Sequence, residues 1–147
     1  MELIRFAKKG DLDGVLTLYR ELRSHDPVVS PDDVSSIWSE MQSDPHSKLV
    51  VAEIDGQLVS TCQLAIVPTV TNAGKPFGII EHVITSEDYR RRGLSQRVLE
   101  KALELAWELN CYKVVLLSGE TRFSAHKLYE KVGFQPRIEK GFVIKRP

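Results

Sequence analysis

Only two of the 147 residues are cysteine, Cys62 and Cys111, and neither a CxxC nor a Cys/His ligand spacing accompanies them. A disulfide framework and a metal site are therefore not expected, and the two cysteines read as reduced, buried thiols. No apolar run approaches the ~18 residues that a membrane-spanning helix needs. The N-terminal stretch MELIRFAKKGDLDG is charged and lacks the apolar core of a signal peptide, so a cytoplasmic protein without membrane contact is expected. Neither sign of charge is in excess, since Lys plus Arg and Asp plus Glu both number 20. That balance disfavours a nucleic-acid module, which needs a basic stripe interleaved with aromatics. Any anionic ligand has to be met by local clustering of charge.

What is present is an ordinary globular composition, 42% hydrophobic and 27% charged, in a chain of the length of one domain. A single domain over residues 1–147 is expected. LIRFAK alternates as a short strand, and Leu12, Val15, Leu16, Leu18, Tyr19 and Leu22 then form a helical stripe capped by Asp11. A second helix opens with Ser30 as N-cap and Pro31 at its first position, and Val34, Ile37, Trp38 and Met41 make its apolar face. Two strand-like runs flank Asp55-Gly56, a dipeptide suited to a tight hairpin. FGIIEHVITS reads as a fourth strand, and a strong 3.6-residue period runs from Gly93 to about Asn110. YKVVLLSG reads as a buried strand, SAHKLYEKVGF as a short helix ended by Gly133, and GFVIKR as a last strand. The order implies an α/β domain, one mixed sheet with helices on both faces.

The segment with most chemical content is SEDYRRRGLSQ. A strand, a glycine turn and a helix aim unpaired backbone N–H groups, here of Leu94, Ser95 and Gln96, and the positive end of the helix dipole at one point. Arg90, Arg91 and Arg92 add charge-assisted donors beside it, so a pyrophosphate is the natural guest. Gly93 permits a close approach of backbone or a φ that a side chain disfavours. There is no GxxxxGK[ST] and no GxGxxG, so neither a P-loop nor a Rossmann turn is present.

Arg90-x-x-Gly93-x-Ser95 resembles the [Q/R]-x-x-G-x-[G/A] turn with which the Gcn5-related N-acetyltransferases hold the pyrophosphate of acetyl-CoA, with Ser95 in place of Gly or Ala. SAHKLYEKVGF is similar to that family's A-x-x-[L/F]-Y-x-x-x-G-F segment at Ala125, Leu128, Tyr129, Gly133 and Phe134. Where many relatives have a pantetheine-binding Asn, this chain has Arg122. The resemblance implies a sheet splayed between its fourth and fifth strands. The cofactor's pantetheine arm would lie against backbone groups of Val83, Ile84 and Thr85.

The same resemblance makes Tyr129 the donor of a proton or hydrogen bond to the departing CoA sulfur, with packing as its alternative role. Glu81, in an otherwise apolar strand, becomes the candidate that positions the acceptor amine or takes its proton through water. Its alternative is a carboxylate pointing at solvent. His82 falls on the opposite face from Glu81 in a regular strand, although a bulge reverses this. CYKVVLL and KLYEKVGF are locally similar to glucosamine-phosphate acetyltransferases, but His82 stands where those carry an acidic residue, so the substrate is not transferred. The expectation is an N-acetyltransferase that uses acetyl-CoA and a small-molecule or peptide amine, without metal. The family's habit of pairing late strands across subunits, with the apolar GFVIKRP, implies a homodimer. An acyl-CoA-binding regulatory domain without turnover remains the alternative.

Overall fold

The computed structural model describes residues 1–147, which form two compact units, Met1–Leu116 and Leu117–Pro147. The first unit is a sheet in the order β1-β2-β3-β4-β5, with β1 Glu2–Phe6, β2 Ser47–Ile54, β3 Gln57–Val67, β4 Phe77–Thr85 and β5 Val114–Leu116. Strands β1 to β4 pair antiparallel, and β4 pairs with β5 in parallel. Helices α1 Leu12–Leu22, α2 Pro31–Ser43 and α3 Leu94–Glu108 pack in this unit, and α4 Phe123–Val132 lies in the second. The architecture is the mixed α/β sheet that the sequence implies.

The two faces of the sheet follow from the period of two along its strands. Val51 and Leu49 join Val15 of α1 and Trp38 of α2 in one buried cluster, with Leu12, Tyr19 and Met41 packed against it. Cys62, one position from Thr61 and paired with Val50, directs its thiol at the carbonyl of Val98 on α3 at 3.5 Å, so α3 covers the other face. Leu94, Val98, Leu99, Ala102 and Ala106 are the residues that α3 buries there. Burial pushes the Cys62 thiol up to about 12 and raises that of Cys111, and both are free. No helix is long and apolar enough to cross a membrane.

Several local expectations hold, and some are corrected. Asp55 and Gly56 both take positive φ, 48° and 85°, the geometry of a two-residue hairpin turn. Ser30 caps α2 by accepting the Asp33 N–H at 3.2 Å. On that helix Ile37 is 48% exposed, so only Trp38 of the expected apolar face is deeply buried. YKVVLLSG contributes a strand only over Val114–Leu116. GFVIKR forms no strand, and Phe142, Val143 and Ile144 are exposed.

Asp11 precedes α1 as expected, but its carboxylate does not cap that helix. It instead accepts from Arg5 Nη1 at 2.7 Å and Nη2 at 3.0 Å and from the Lys8 N–H at 2.6 Å, while Arg5 also holds Glu53 at 2.6 Å. An arginine with two carboxylates is the stronger partner, and Asp11 ties β1 to the start of α1. The Arg5 hydrogen bond, outweighing burial, holds the Asp11 carboxyl below its ordinary value. A group whose pKa is lower in the folded state stabilises it above the unfolded pKa and loses that contribution as pH falls. Asp11→Asn should therefore cost about 2 kcal/mol at pH 7 and flatten the loss of stability below about pH 4. Urea unfolding of both proteins at pH 7 and pH 3 checks this, and an equal gap at the two values would count against it.

Candidate active site

Strand β4 has two neighbours along its first half and one along its second. Its parallel ladder with β5 ends at the pair Ile80 and Leu116, while pairing with β3 continues to Thr85. Residues Glu81 to Thr85, including the expected Val83, Ile84 and Thr85, thus run past the end of β5. In the same stretch the register with β3 shifts: Gln63 faces Glu81, whereas Thr61 faces Ile84. Two residues, His82 and Val83, oppose Cys62 alone, and His82 takes a φ of 54°. This is a β-bulge.

The bulge overturns the expectation for a regular strand that Glu81 and His82 face apart. The His82 ring lies 5.3 Å from that of Tyr19 on α1. Beyond α1, Arg23 and Asp26 form an ion pair at 2.6 Å. The Asp26 hydrogen bond and charge raise the Arg23 pKa, with a smaller contribution from Glu81, and Asp26 is lowered chiefly by Arg23 and in part by His82. Glu81 pairs with Gln63, which pairs with Leu49 of the α1-side cluster, and the His82 ring meets Tyr19, so both lie on the α1 face of β4, with Glu81 exposed.

After β4 the chain makes a 3-10 turn over Glu87–Tyr89, then enters α3 through Gly93 at φ 77°. A Cβ built on Gly93 would meet nothing within 4 Å, so that side of the turn is open. The N–H groups of Leu94, Ser95 and Gln96 open the helix, with no side-chain cap, ahead of the Arg97 N–H that donates to the Gly93 carbonyl at 3.1 Å. The three arginines divide their work. Arg90 Nε donates to the Thr85 carbonyl at 3.2 Å, Arg92 lies over the Tyr89 ring at 5.0 Å, and Arg91 is exposed with a φ of 64°. The Gln96 amide is tied to Glu100 at 2.8 Å, which leaves its backbone as the group directed at the turn.

Ser95 is not simply a larger alanine. Its hydroxyl lies 2.5 Å from Thr85 Oγ1, which lies 2.7 Å from Ser60 Oγ, and Ser60 reaches the Ile84 carbonyl at 3.1 Å. Each hydroxyl has one proton. With all three donating inward the chain ends on the Ile84 carbonyl; with the order reversed, Ser95 donates outward at the mouth of the helix. This hydroxyl chain joins β3, β4 and α3 at the turn. Glu21 of α1, which gave no signal in the sequence, accepts from Ser86 Oγ and from the Glu87 N–H, both at 3.1 Å. It thereby anchors the start of the turn. A carboxylate on the exposed side of an amphipathic helix carries no pattern that would single it out.

In the unit Leu117–Pro147, Tyr129 is buried at 7% exposure and packs edge-on against Phe134, with ring centroids 6.2 Å apart. Gly133 ends α4 at φ 124°, its N–H reaching the carbonyls of Tyr129 and Glu130. Arg122 is exposed at the start of α4 and turns back through its N–H to the Gly119 carbonyl at 3.1 Å. The Gly119 carbonyl also meets His126 Nε2 at 2.8 Å.

A sequence profile of the acetyltransferase (GNAT) family matches residues 15–134. A putative acetyltransferase from Agrobacterium tumefaciens str. C58 is 38% identical and superposes with a TM-score of 0.92, over 98% of this chain and 99% of that one. A glucosamine 6-phosphate N-acetyltransferase from Trypanosoma brucei brucei is 27% identical over 132 residues, 90% of this chain and 88% of its own. An uncharacterized N-acetyltransferase from Archaeoglobus fulgidus is 30% identical over 135 residues, 86% of this chain and 88% of its own.

Proposed function

The chain belongs to the acetyltransferase (GNAT) family, and from that premise we propose that it moves the acetyl group of acetyl-CoA to a primary amine of a small molecule or peptide. The observation that carries this reading is the open turn at Gly93, with its unpaired helix N–H groups, set at the end of a strand that outruns its neighbour β5. Residues Arg90 to Gln96 would hold the pyrophosphate, with the Arg90 and Arg92 guanidinium groups as its charged partners. Backbone groups of Val83, Ile84 and Thr85 would meet the pantetheine arm as a strand edge meets a strand. Arg122 would assist at the second segment. The glucosamine 6-phosphate named for the Trypanosoma relative is the first acceptor to assay, followed by other classes of primary amine.

In the proposed reaction the amine nitrogen attacks the thioester carbonyl carbon, and a tetrahedral oxyanion forms. The C–S bond then breaks, the thiolate takes a proton from Tyr129, and the nitrogen loses its extra proton to Glu81, directly or through water. Exposure suits Glu81 to that exchange, since a solvated carboxylate can pass its proton on. A homodimer is also proposed, and the exposed Phe142, Val143 and Ile144 supply apolar surface for it. Sedimentation at micromolar concentration should show twice the 16.6 kDa chain mass; a species of that mass alone would remove the dimer.

Gly93→Val places a β-branched side chain at a φ of 77° that it disfavours, which would distort the turn proposed to hold the anion. Calorimetry should show CoA binding weakened at least about tenfold, or ~1.4 kcal/mol, and unchanged affinity in a folded variant would remove the pyrophosphate assignment. Tyr129→Phe keeps the ring against Phe134 and removes the proton donor. It should lower kcat by roughly 10² to 10⁴ while leaving acetyl-CoA affinity unchanged. Wild-type turnover by that variant would make Tyr129 a packing residue. Tight acetyl-CoA binding with no turnover of any amine would favour a regulatory domain instead.

A further inference from the structure

Where one strand outruns its neighbour, the sheet edge beside it is left open, and a hollow remains unless another element fills it. At the end of the sheet away from Gly93 this happens to β2. Strand β1 ends at Phe6, opposite Val50, while β2 begins earlier in the chain, at Ser47. The end of α2 contributes Met41 and Gln42 to the gap, and the result is a pocket of about 100 Å³. Ser47, Ala65 and Ile79 form the row of paired residues at the pocket, and Ala52, Ser60 and Thr85 the row at the Gly93 turn. From Ser47 to Ala52 the strand rises ~3.3 Å per residue, so roughly 16 Å separates the two places.

The floor of the pocket is apolar. Phe6, Ala7 and Met41 are half-buried there, and Leu49 is fully buried. Benzene needs a dry cavity of about 150 Å³, so the smaller volume suits a short branched chain rather than a ring. The polar groups of the lining are rich in unspent donors. Ser47 Oγ accepts from Gln63 Nε2 at 3.2 Å, which leaves its own proton for a ligand. The Lys48 ammonium makes no ion pair, and the Gln42 amide makes no hydrogen bond within the protein. Lys48 shares a face with Phe6, the partner of Val50, and Lys101 of α3 lies over the Phe6 ring at 5.4 Å, which adds a second cation. Asp44, the carboxylate between α2 and β2, accepts the His46 N–H at 2.8 Å and is occupied in its own loop.

We propose that this pocket is a second ligand site, for a short branched aliphatic carboxylate. The chain fills the space between Phe6, Met41 and Leu49, and the carboxylate meets Lys48 and the Ser47 hydroxyl. An alcohol of the same shape would leave the Lys48 charge unanswered, and acetate would leave the apolar floor wet. Both halves of the ligand are therefore required. The site involves no acetyl transfer and stands apart from the cofactor turn, so it does not depend on the acetyltransferase reading.

The chain has two methionines, which makes methyl-labelled methionine a local probe. Met41 lines the pocket, and Met1, 91% exposed, serves as the control. Titration with isovalerate should move the Met41 methyl resonance to saturation and leave that of Met1 in place. Isoamyl alcohol and acetate should each bind at least about tenfold more weakly, the first for want of a charge-assisted hydrogen bond and the second for want of apolar area. Lys48→Met keeps the aliphatic stem and should lower isovalerate affinity to that of the alcohol, with alcohol binding unchanged. Ala7→Leu narrows the pocket and should abolish binding of both; Lys48→Met carries the test if that variant does not fold. Saturating CoA should not displace isovalerate. The proposal falls if isovalerate at tens of millimolar leaves Met41 unmoved, if the alcohol or acetate binds as tightly, or if Lys48→Met retains wild-type affinity. Displacement by CoA would place the acid in the cofactor cleft and overturn the second site, while leaving the acetyl-transfer reading standing.

Discussion

Between Ile80 and Ile84, strand β4 absorbs one residue more than β3 does opposite it, and over the same few residues it loses its other neighbour, β5. These two irregularities reinforce each other. A parallel strand pair needs both ladders in register, and an extra residue bends and twists the strand that carries it. The end of the β4–β5 ladder at Ile80 leaves the following strand residues outside that pairing. An exposed edge is usually a liability that folds cover or charge. Here it leads straight into the Gly93 turn, so the proposed cofactor, extended and phosphorylated at one end, would meet a strand edge and a helix N-terminus in sequence order.

The turn itself is held by polar contacts more than by apolar packing. Glu21 anchors its start, Arg90 is drawn back to the Thr85 carbonyl, and the Ser60–Thr85–Ser95 hydroxyls bridge two strands to α3. The apolar contribution comes from one residue further in, where Leu94 is buried against the sheet and fixes the helix entry. Fixing a loop by hydrogen bonds while leaving its outer N–H groups unpaired is what preorganised anion binding would require, since the donors need not be rearranged when the ligand arrives. With no net charge on the chain, this local arrangement would have to supply the attraction for the proposed pyrophosphate.

Much of this was legible in the sequence because it rests on periodic or positional signals. Gly93 before a 3.6-residue stripe announced the helix entry, Asp55-Gly56 the hairpin, Ser30-Pro31 the start of α2, and Gly133 the end of α4. What was not legible depended on partners far away in the chain. Asp11 looks like a helix cap until Arg5 and Glu53 are seen beside it, and Glu21 is one more carboxylate on a helix until Ser86 and Glu87 arrive. GFVIKR has strand-like alternation, but propensity alone does not make a strand without a ladder to join. Ser95 read as a tolerated departure from Gly or Ala, and only the spatial approach of Thr85 and Ser60 shows what its hydroxyl engages.

Of the three positive-φ positions of this region, His82, Arg91 and Gly93, the first and the last show how the same backbone demand is met in opposite ways. Glycine is the low-strain residue for either. At Gly93 the space where a Cβ would go is empty, so the positive φ and not a packing clash is what favours glycine there. At His82 the same conformation carries a full ring, packed on Tyr19 with a buried nitrogen left unpaired. Histidine tolerates this region of φ better than most side chains, yet still less well than glycine. A residue that costs stability in both backbone and hydrogen bonding, at a bulge where glycine would relieve both, points to a use for its side chain.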